Sequence, residues 1–358
     1  KMIIATVKEK NEFENRVSIT PDTCKSYIKA GLDVIIEKNA GYNASFLDSV
    51  YKESGANVLD REQVLQKADI LVSVSTILEN SDLEILKNKA VIIGGFNPYE
   101  NGDKIKKIIG KNLSLISLDF LPRISRAQSM DILSSQANLA GYKAVIEASS
   151  IFKKALPMMM TAAGTIIPAK CLILGAGVAG LQAIATAKRL GCVVSAFDVR
   201  PEVEEQVNSL GAKFVKVEDE ENTKETQTVY AKEMSKDYKK KQLKAIHDVA
   251  VNMDIIISTA LIPGKKAPML IESNTISQMR SGSILIDLAS SSGGNIEGSK
   301  IGEKVNINDC VVYAPRNLPS LIAYDASLLF SKNIYNFISN FITENKIFDI
   351  EAKDELLL

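Results

Sequence analysis

Short apolar segments alternate with longer amphipathic segments along almost the whole chain. The apolar segments are rich in Val, Ile and Leu and too short to be helices, which is typical of buried parallel strands. The amphipathic segments between them are typical of crossover helices, so the pattern predicts a series of β-α-β units. The predicted strands form two series: 2–7, 33–37, 57–59, 69–74, 90–94 and 113–118, then 170–174, 193–198, 213–217, 254–258, 283–288 and 310–314.

Turn residues recur at the same places in both series. Gly31 and Gly191 precede the second strand of each series, and Gly55 and Gly211, each followed by alanine, precede the third. The fourth strands are also alike, reading ADILVSV and MDIIIST. We therefore predict an α/β chain with two Rossmann-like domains of similar topology, each a doubly wound parallel sheet covered by helices.

Two long segments with few helix breakers, residues 131–154 and 320–345, carry apolar residues at helical spacing. They predict two long helices that join the domains, the second one returning to the first domain. The N-terminal domain would comprise residues 1–130, completed by 320–358, and the second domain residues 131–319. A chain of 358 residues exceeds the roughly 250 to 300 residues that one hydrophobic core serves. We expect a cleft between the domains, where ligands commonly bind.

Charge and cysteine content narrow the possible function classes. The chain carries 43 Lys and Arg against 43 Asp and Glu, which provides no general basic surface for nucleic acid. Its four cysteines are far apart and lack CxxC spacing, so we expect buried thiols in a reducing compartment and no metal site. No apolar run approaches the roughly 18 residues of a membrane span, and the N-terminus lacks a signal-peptide pattern. We therefore expect a soluble, cytoplasmic chain.

Residues 171–200 contain the most informative motif, a strand followed by Gly175-x-Gly177-x-x-Gly180, a helix, a second strand and Asp198. The three glycines permit a tight turn, a close approach of backbone to phosphate and close packing of helix on strand. The Asp198 carboxylate can accept the ribose hydroxyls and would repel a 2′-phosphate, which favours NAD(H) over NADP(H). A glycine-rich turn in an unrelated α/β protein is the alternative.

The cofactor contacts expected from this motif and from the segment after the fourth strand are Gly175, Ala176, Gly177, Val178, Ala179, Gly180, Asp198, Val199, Arg200, Ala260 and Leu261. In the first domain the corresponding segment, residues 8–16, contains no glycine. We therefore expect only the second domain to bind a dinucleotide.

Five polar side chains that could contact a ligand follow the last predicted strand of the first domain: Arg123, Arg126, Gln128, Asp131 and Ser134. This edge of a parallel sheet is where α/β proteins bind ligands. Gln128 and Ser134 could supply the donor and acceptor that a nicotinamide carboxamide needs, with Arg123 and Asp131 orienting them. The structural alternatives are that Ser129 or Asp131 caps the long helix and that Arg123 pairs with a carboxylate between the domains.

Residues 217–241 form a polar, charged insertion that is too long for an ordinary loop between strand and helix. It is either a mobile lid or a disordered segment, and Lys239 to Lys241 more resemble a solvated helix start than a phosphate clamp. The chain has a single histidine, His247, in a predicted helix. A helix-surface or core role is expected for it. Reduction of a carbonyl needs an acid, whereas hydride transfer between two nicotinamides does not, so an ordinary dehydrogenase is disfavoured.

Several segments closely resemble domain I of the proton-translocating NAD(P) transhydrogenases: RISRAQSMDILSSQANLAGYKAV, PMMMTAAGTIIPAKCLILGAGVAGLQAIATAKRLG, FDVRPEVEEQV, STALIPGKKAP and APRNLPS. The resemblance covers nearly the whole chain, and the RxSRAQxMD segment is its most specific portion. In some bacteria domain I is a separate soluble alpha subunit. The fold that it implies is the two-domain fold predicted above.

The resemblance also implies an activity and partners. The chain would form a homodimer, bind NAD(H) and dock on the NADP(H)-binding domain of a membrane-spanning partner, at the inner face of the bacterial cytoplasmic membrane. Hydride would pass directly between the two nicotinamides (the Re/Si-specific reaction), coupled to proton translocation by the partner. Matching positions place the family's nicotinamide contacts, ribose acid and mobile-loop tyrosine on Arg123, Gln128, Asp131, Ser134, Asp198 and Tyr230.

Two other functions remain open at this stage. Alanine dehydrogenase shares the two-domain plan, and its ENR motif is present as Glu14, Asn15 and Arg16. Its substrate lysine is replaced, because the fourth strand offers only Ser73 and Ser75, and its catalytic histidine is missing after the fifth strand. A non-catalytic NAD sensor is the second alternative, and it would have a closed nicotinamide pocket.

Overall fold

The structure, a computed structural model, describes residues 1–218 and 236–357. The chain divides into two compact units. Unit 1 contains Lys1–Gln136 and Pro319–Leu358, and unit 2 contains Ala137–Leu318. The sequence placed the same two divisions after residues 130 and 319. Within the described ranges, no helix has the length and apolar character needed to cross a membrane.

Unit 1 is built on a sheet of six parallel strands in the order β3-β2-β1-β4-β5-β6. The strands are β1 Ile3–Thr6, β2 Asp33–Glu37, β3 Asn57–Leu59, β4 Ile70–Val72, β5 Val91–Gly94 and β6 Ser114–Ser117. The helices between them are α1 Pro21–Lys29, α2 Asp48–Glu53, α3 Arg61–Lys67, α4 Asn80–Ile85 and α5 Pro98–Ile109. The chain leaves unit 1 within α6, Ile132–Ile151.

Unit 2 contains a seven-stranded sheet in the order β11-β10-β9-β12-β13-β15-β14, preceded by the separate hairpin β7-β8. Its strands are β7 Met159–Thr161, β8 Gly164–Ile166, β9 Lys170–Leu174, β10 Val193–Phe197, β11 Lys213–Phe214, β12 Ile255–Ser258, β13 Ile284–Asp287, β14 Lys304–Ile307 and β15 Cys310–Tyr313. Its helices are α7 Val178–Arg189, α8 Glu204–Ser209, α9 Lys236–Ala250 and α10 Ser273–Gln278, and the chain then returns to unit 1 with α11 Ala323–Ser339.

The two sheets confirm the predicted fold class. In each of them the first strand lies at the centre, so β1 with β4, and β9 with β12, form the switch point where α/β proteins bind ligands. The sequence missed β14, which pairs antiparallel with β15. Its turn residues Asn308 and Asp309 both have positive φ, 48° and 63°, and this is the local signal of a two-residue hairpin turn.

The second predicted long helix, 320–345, is shorter in the structure. A 3-10 turn, Pro319–Ile322, comes first, and α11 ends at Ser339. The helix is amphipathic and buries Phe330, Ile334, Phe337 and Ile338 in the core of unit 1. Its packing within unit 1 matters for the site, because α11 supports the polar segment that follows β6.

The first long helix, α6, packs closely on α7 inside unit 2. A Cβ at Gly141 would lie 2.1 Å from the carbonyl oxygen of Ala179, so only glycine fits there. Further along the same helix, Ala144 and Ala148 are fully buried. Small residues on α6 therefore let the N-terminal end of α7, which follows the glycine-rich turn, lie against it.

Candidate functional site

The glycine-rich turn joins β9 to α7 and is held by steric constraints. Gly175 has φ +93°, and a Cβ on it would lie 2.6 Å from the Thr259 hydroxyl oxygen. A Cβ on Gly180 would lie only 1.7 Å from the Gly175 carbonyl oxygen. Any larger residue at these two positions would push α7 away from the turn, so the sequence motif corresponds to a close backbone packing.

The middle glycine is different, because space rather than contact surrounds it. A Cβ on Gly177 would meet no atom within 4 Å, and both Gly177 and Val178 are exposed. Gly177 is the N-cap of α7 and its side of the turn makes no side-chain capping bond. The first backbone N–H groups of a helix have no partner within it. This open helix N-terminus at the switch point fits the pyrophosphate of a dinucleotide.

Asp198 follows β10 and faces this turn. Its carboxylate accepts hydrogen bonds from the Ala176 N–H at 2.7 Å and from the Arg200 N–H at 2.9 Å. The Arg200 guanidinium donates two more, at 3.0 and 3.2 Å. Burial alone would raise the pKa of Asp198, but these hydrogen bonds and the Arg200 charge outweigh it and hold the pKa below its usual range. The acid is therefore ionised and fixed beside the turn.

The sequence did not predict that Arg200 pairs with Asp198. Together the four hydrogen bonds use the acceptor sites that a carboxylate offers. A ribose bound at Asp198 would therefore have to replace the guanidinium bonds, and the Arg200 side chain is 47% exposed and able to move toward solvent. Val199, also predicted as a contact, is half-exposed beside them.

The segment after β12 carries two further predicted contacts, Ala260 and Leu261. Ala260 is partly buried, and Leu261 is 48% exposed together with its neighbour Ile262. Thr259, which the sequence did not single out, donates from its hydroxyl to the Gly175 carbonyl at 3.1 Å. The loop after β12 is therefore attached to the glycine-rich turn. A residue at the carboxyl end of a central strand is a positional signal that could have identified Thr259.

Unit 1 carries the predicted polar segment after β6, and it contains a 3-10 helix, Ser125–Met130. Arg123 and Gln128 are exposed, and the structure gives neither side chain a polar partner among the described residues. Arg126 instead pairs with Asp354 and lies 3.8 Å from Glu355. The prediction that Arg126 is available to a ligand is thus corrected, because the carboxylates of the C-terminal segment engage its charge.

Asp131 and Ser134 are paired with each other at the start of α6. The Asp131 carboxylate accepts the Ser134 N–H at 3.0 Å and the Ser134 hydroxyl at 2.5 Å. This is the helix-capping arrangement given above as the structural alternative. The Ser134 hydroxyl proton is used by Asp131, and its oxygen keeps acceptor capacity for another group.

Two asparagines of α11 hold the polar segment in place. Asn333 and Asn336 both donate to the carbonyl of Ser129, at 2.9 and 3.0 Å. They lie more than 200 residues away in the chain. No local pattern could have identified them. The backbone next to Gln128 is therefore fixed by side-chain amides rather than by a regular element.

Arg16, the arginine of the ENR motif, is fully engaged inside unit 1. Its guanidinium donates to the Glu14 carboxylate at 2.7 and 2.8 Å and to the Gln136 side-chain oxygen at 2.8 Å. The Arg16 side chain is 10% exposed and that of Glu14 only 1%. The pairing expected for Arg16 thus takes place within unit 1, with a carboxylate two residues earlier in the chain.

Another buried acid lies where β1 and β4 diverge in unit 1. The Glu9 carboxylate accepts the backbone N–H groups of Val74 and Thr76 and the hydroxyl of Ser73. Burial raises the pKa of Glu9. In unit 1, therefore, a carboxylate from the chain itself bonds amides at the switch point, in a loop that lacks glycine.

The remaining sequence candidates have the following places. His247 is on α9, and its Nδ1 lies 2.8 Å from the Thr275 hydroxyl oxygen, far along the chain from the glycine-rich turn. Residues 236–241, expected in the insertion, form the start of α9, in agreement with a helical role for Lys239 to Lys241. Tyr230 lies outside the described residues. Within residues 1–218 and 236–357 no cluster of potential metal ligands occurs, and all four cysteines are buried and free.

Comparison with known proteins gives consistent matches along the chain. The model of the alanine dehydrogenase/PNT N-terminal domain matches residues 5–140, and that of the C-terminal domain matches residues 144–358. The first portion of a split NAD(P) transhydrogenase subunit alpha, from Rickettsia prowazekii, is 47% identical over 342 residues, covering 94% of this chain and 89% of the relative. The protein of the same name from Rhodospirillum rubrum is 44% identical over 361 residues, covering 99% and 94%. A solved transhydrogenase from Sinorhizobium meliloti superposes with a TM-score of 0.86 at 39% identity, covering 95% and 94% of the two chains.

Replacing Arg16 with alanine would leave the Glu14 carboxylate buried without its cation. We expect Arg16→Ala to lower the free energy of unfolding by about 3 kcal/mol at pH 7, measured by urea denaturation. Burial alone would raise the pKa of Glu14, but the hydrogen bonds and charge of Arg16 outweigh it, so the folded-state pKa is lowered. The pair therefore stabilises the fold above the ordinary glutamate pKa of about 4.3 and loses this effect as the pH falls through the folded-state pKa.

The difference between wild type and Arg16→Ala should accordingly shrink as the pH is lowered from neutrality to about 4. Lys38→Ala is the matched control, because it removes an exposed pair with Asp60 at 2.9 Å. It should change stability little at either pH. If Arg16→Ala were as stable as this control at pH 7, the buried pair would not have the role described.

Proposed function

Because the chain belongs to the alanine dehydrogenase/PNT family, we propose that it is the NAD(H)-binding component of a proton-translocating transhydrogenase. The observation that carries the proposal is the open N-terminus of α7 beside the ionised Asp198. The match to two transhydrogenase alpha subunits along almost the whole chain supports it. The chain would present NADH for direct hydride transfer to NADP⁺ held by a partner protein.

In this proposal the turn and Asp198 bind the adenosine and pyrophosphate half of NAD(H). Ribose hydroxyls replace the Arg200 guanidinium on the Asp198 carboxylate, while the Ala176 and Arg200 N–H groups remain bonded to it. The exposed N-terminus of α7 accepts the pyrophosphate at Gly177. Val178, Val199 and Leu261 are exposed and apolar, and they would contact the bases and riboses.

Arg123, Gln128, Asp131 and Ser134 are proposed to hold the nicotinamide end. The free side chain of Gln128 offers both a donor and an acceptor to the carboxamide. Asp131 keeps Ser134 oriented through two hydrogen bonds, so the Ser134 oxygen can act as an acceptor. Bound NADH supplies the hydride, and these residues fix the rotation of the ring that carries it, because transfer depends on orientation.

The alternatives receive less support from unit 1. An amino-acid or oxo-acid carboxylate would have to displace Glu14 from Arg16, and that pair is buried and bidentate. The chain's single histidine is bonded to Thr275 on another element, so it does not supply a general acid at the glycine-rich turn. Hydride transfer between two nicotinamides requires neither a substrate cation nor an acid.

A homodimer is also proposed, with the β7-β8 hairpin as its contact surface. Residues 157–167 are all exposed and include no charged residue. Met160 is 80% exposed and Ile167 65% exposed. A two-stranded sheet has open edges, and an uncharged apolar surface meets its own copy without charge repulsion, so a second copy of this chain is the fitting partner. The NADP(H)-binding partner would then bring the dimer to the membrane.

The nucleotide preference tests the role of Asp198. We expect calorimetry to show that NADH binds at least about tenfold more tightly than NADPH, because the 2′-phosphate would face an ionised carboxylate. Asp198→Asn should reduce this preference, since Arg200 would then be free to pair with the phosphate. Equal affinities of the wild-type chain for the two nucleotides would refute the assignment.

Gln128→Asn tests the orientation of the nicotinamide. It should leave NADH affinity within about twofold but slow single-turnover transfer to NADP⁺ by about tenfold or more, in a complex with an NADP(H)-binding transhydrogenase domain. Gln66→Asn, on the exposed face of α3, is the control and should alter neither value. An unchanged transfer rate in Gln128→Asn would count against its role, and robust oxidation of NADH with pyruvate by the chain alone would favour alanine dehydrogenase.

Met160→Lys tests the dimer. A charge placed in the middle of the apolar hairpin should yield the mass of one chain by sedimentation at micromolar concentration, where the wild type gives twice that mass. Ile109→Lys, at an isolated exposed apolar position of α5, should leave the dimer intact. A wild-type monomer, or a dimer that survives Met160→Lys, would contradict the proposed surface.

A further inference from the structure

A buried asparagine closes the loop that follows β12. The Asn295 side-chain oxygen accepts the Ala260 N–H at 3.2 Å, and its amide group donates to the Ala260 carbonyl at 3.0 Å. The same amide group donates to the Pro268 carbonyl at 2.8 Å. One side chain therefore joins the two ends of the loop 260–268, as a clasp joins the ends of a band.

The clasp has no unused hydrogen-bonding group. The Asn295 oxygen also accepts the buried Ser258 hydroxyl at 2.7 Å, so it has two donors, and each amide hydrogen has its own carbonyl. Asn295 is fully buried. Only an amide of this length supplies two acceptor sites and two donors at this point, since a carboxylate would oppose two carbonyl oxygens.

A second buried side chain fixes the position of Asn295. The Asp287 carboxylate, at the end of β13, accepts the N–H groups of Asn295, Ile296 and Ala289 at 3.0, 3.1 and 2.9 Å, and the Ser299 hydroxyl at 2.8 Å. Asp287 is fully buried. The clasp is thereby anchored to the sheet itself, and the loop after β12 takes its position from β13.

The opposite side of the loop is attached to the glycine-rich turn. Thr259 donates from its backbone N–H to the Leu174 carbonyl at 2.7 Å and from its hydroxyl to the Gly175 carbonyl. Between the two attachments, residues 261–266 are exposed and carry Leu261 and Ile262, 48% and 49% exposed. The loop thus has a fixed base and a free apolar tip.

The strand order places this loop on a defined side of the dinucleotide. Asp198 ends β10, on one side of β9, whereas the loop leaves β12, on the other side of β9. A dinucleotide with its adenosine ribose at Asp198 and its pyrophosphate at the turn must extend over the end of β12. Its second nucleotide half therefore approaches the loop 260–268.

We propose that Asn295 is a positioning residue that holds the loop 260–268 against the second nucleotide half and thereby sets the affinity for NADH without affecting the binding of AMP. This inference rests on the proposed function, because it takes NADH as the ligand. It adds that a residue remote from the glycine motif, acting through Ala260 and Pro268, controls one half of the site.

The test is Asn295→Asp in the full chain, which keeps the size and the acceptor of the side chain but removes both donors. NADH affinity should fall by about tenfold or more, the cost of roughly one misplaced polar contact, whereas AMP affinity should stay within about twofold. Both are measured by calorimetry, with NADH and 5′-AMP as the probes. A residue needed only for folding would weaken both ligands together.

Two further variants make the result specific. Ser258→Ala removes a single donor to the clasp and should weaken NADH binding by a few-fold, again with AMP unchanged. Ser283→Ala removes a buried hydroxyl at the opposite end of β13, where it bonds the Arg280 carbonyl at 2.7 Å. It should leave both affinities unchanged, even if the melting temperature falls.

The outcomes separate the two proposals. Wild-type chain that fails to bind NADH would overturn the proposed function, and the clasp with it. Wild-type chain that binds NADH, with Asn295→Asp and Ser258→Ala binding it equally well, would overturn the clasp alone. Parallel loss of NADH and AMP in the folded variants would also overturn it, because the loop would then have no selective effect on one half of the ligand.

Discussion

The contact between Gly180 and the Gly175 carbonyl is the constraint on which the nucleotide site depends. No side chain can occupy that space, since a Cβ would lie 1.7 Å from the oxygen. With glycine there, α7 starts directly above β9 and its unpaired N–H groups point to the switch point. The other components of the site take their positions from this turn: Asp198 through Ala176, and the loop after β12 through Thr259.

The two units show how one topology can carry different roles. In unit 2 the switch point is lined by open backbone and an acid held for a ribose. In unit 1 the equivalent place is bonded by Glu9, and the nearby Arg16 is neutralised by Glu14. The same strand order therefore gives a nucleotide site in one unit and an internally bonded polar core in the other, which agrees with a chain that contributes one nucleotide to a two-nucleotide reaction.

The sequence predicted those features that local spacing determines. The twelve strands of the two series, the glycine turn and Asp198 follow from patterns within about thirty residues. It could not predict Asn295, Asn333 or Asn336, because their partners lie far away in the chain and an asparagine has no characteristic pattern of its own. The missed strand β14 is different, since Asn308 and Asp309 carried a readable turn signal. Arg126 was misjudged because its partner, Asp354, belongs to the distant C-terminal segment.

The central claim is that this chain holds one half of a reaction whose other half lies on a different protein. The most direct measurement follows a deuterium label at the transferred position of NADH C4 in a complex with an NADP(H)-binding transhydrogenase domain. The account predicts that the label appears in NADPH and that none enters water, because hydride passes directly between the nicotinamides. Label released into water, or NADPH formed without the label, would contradict it.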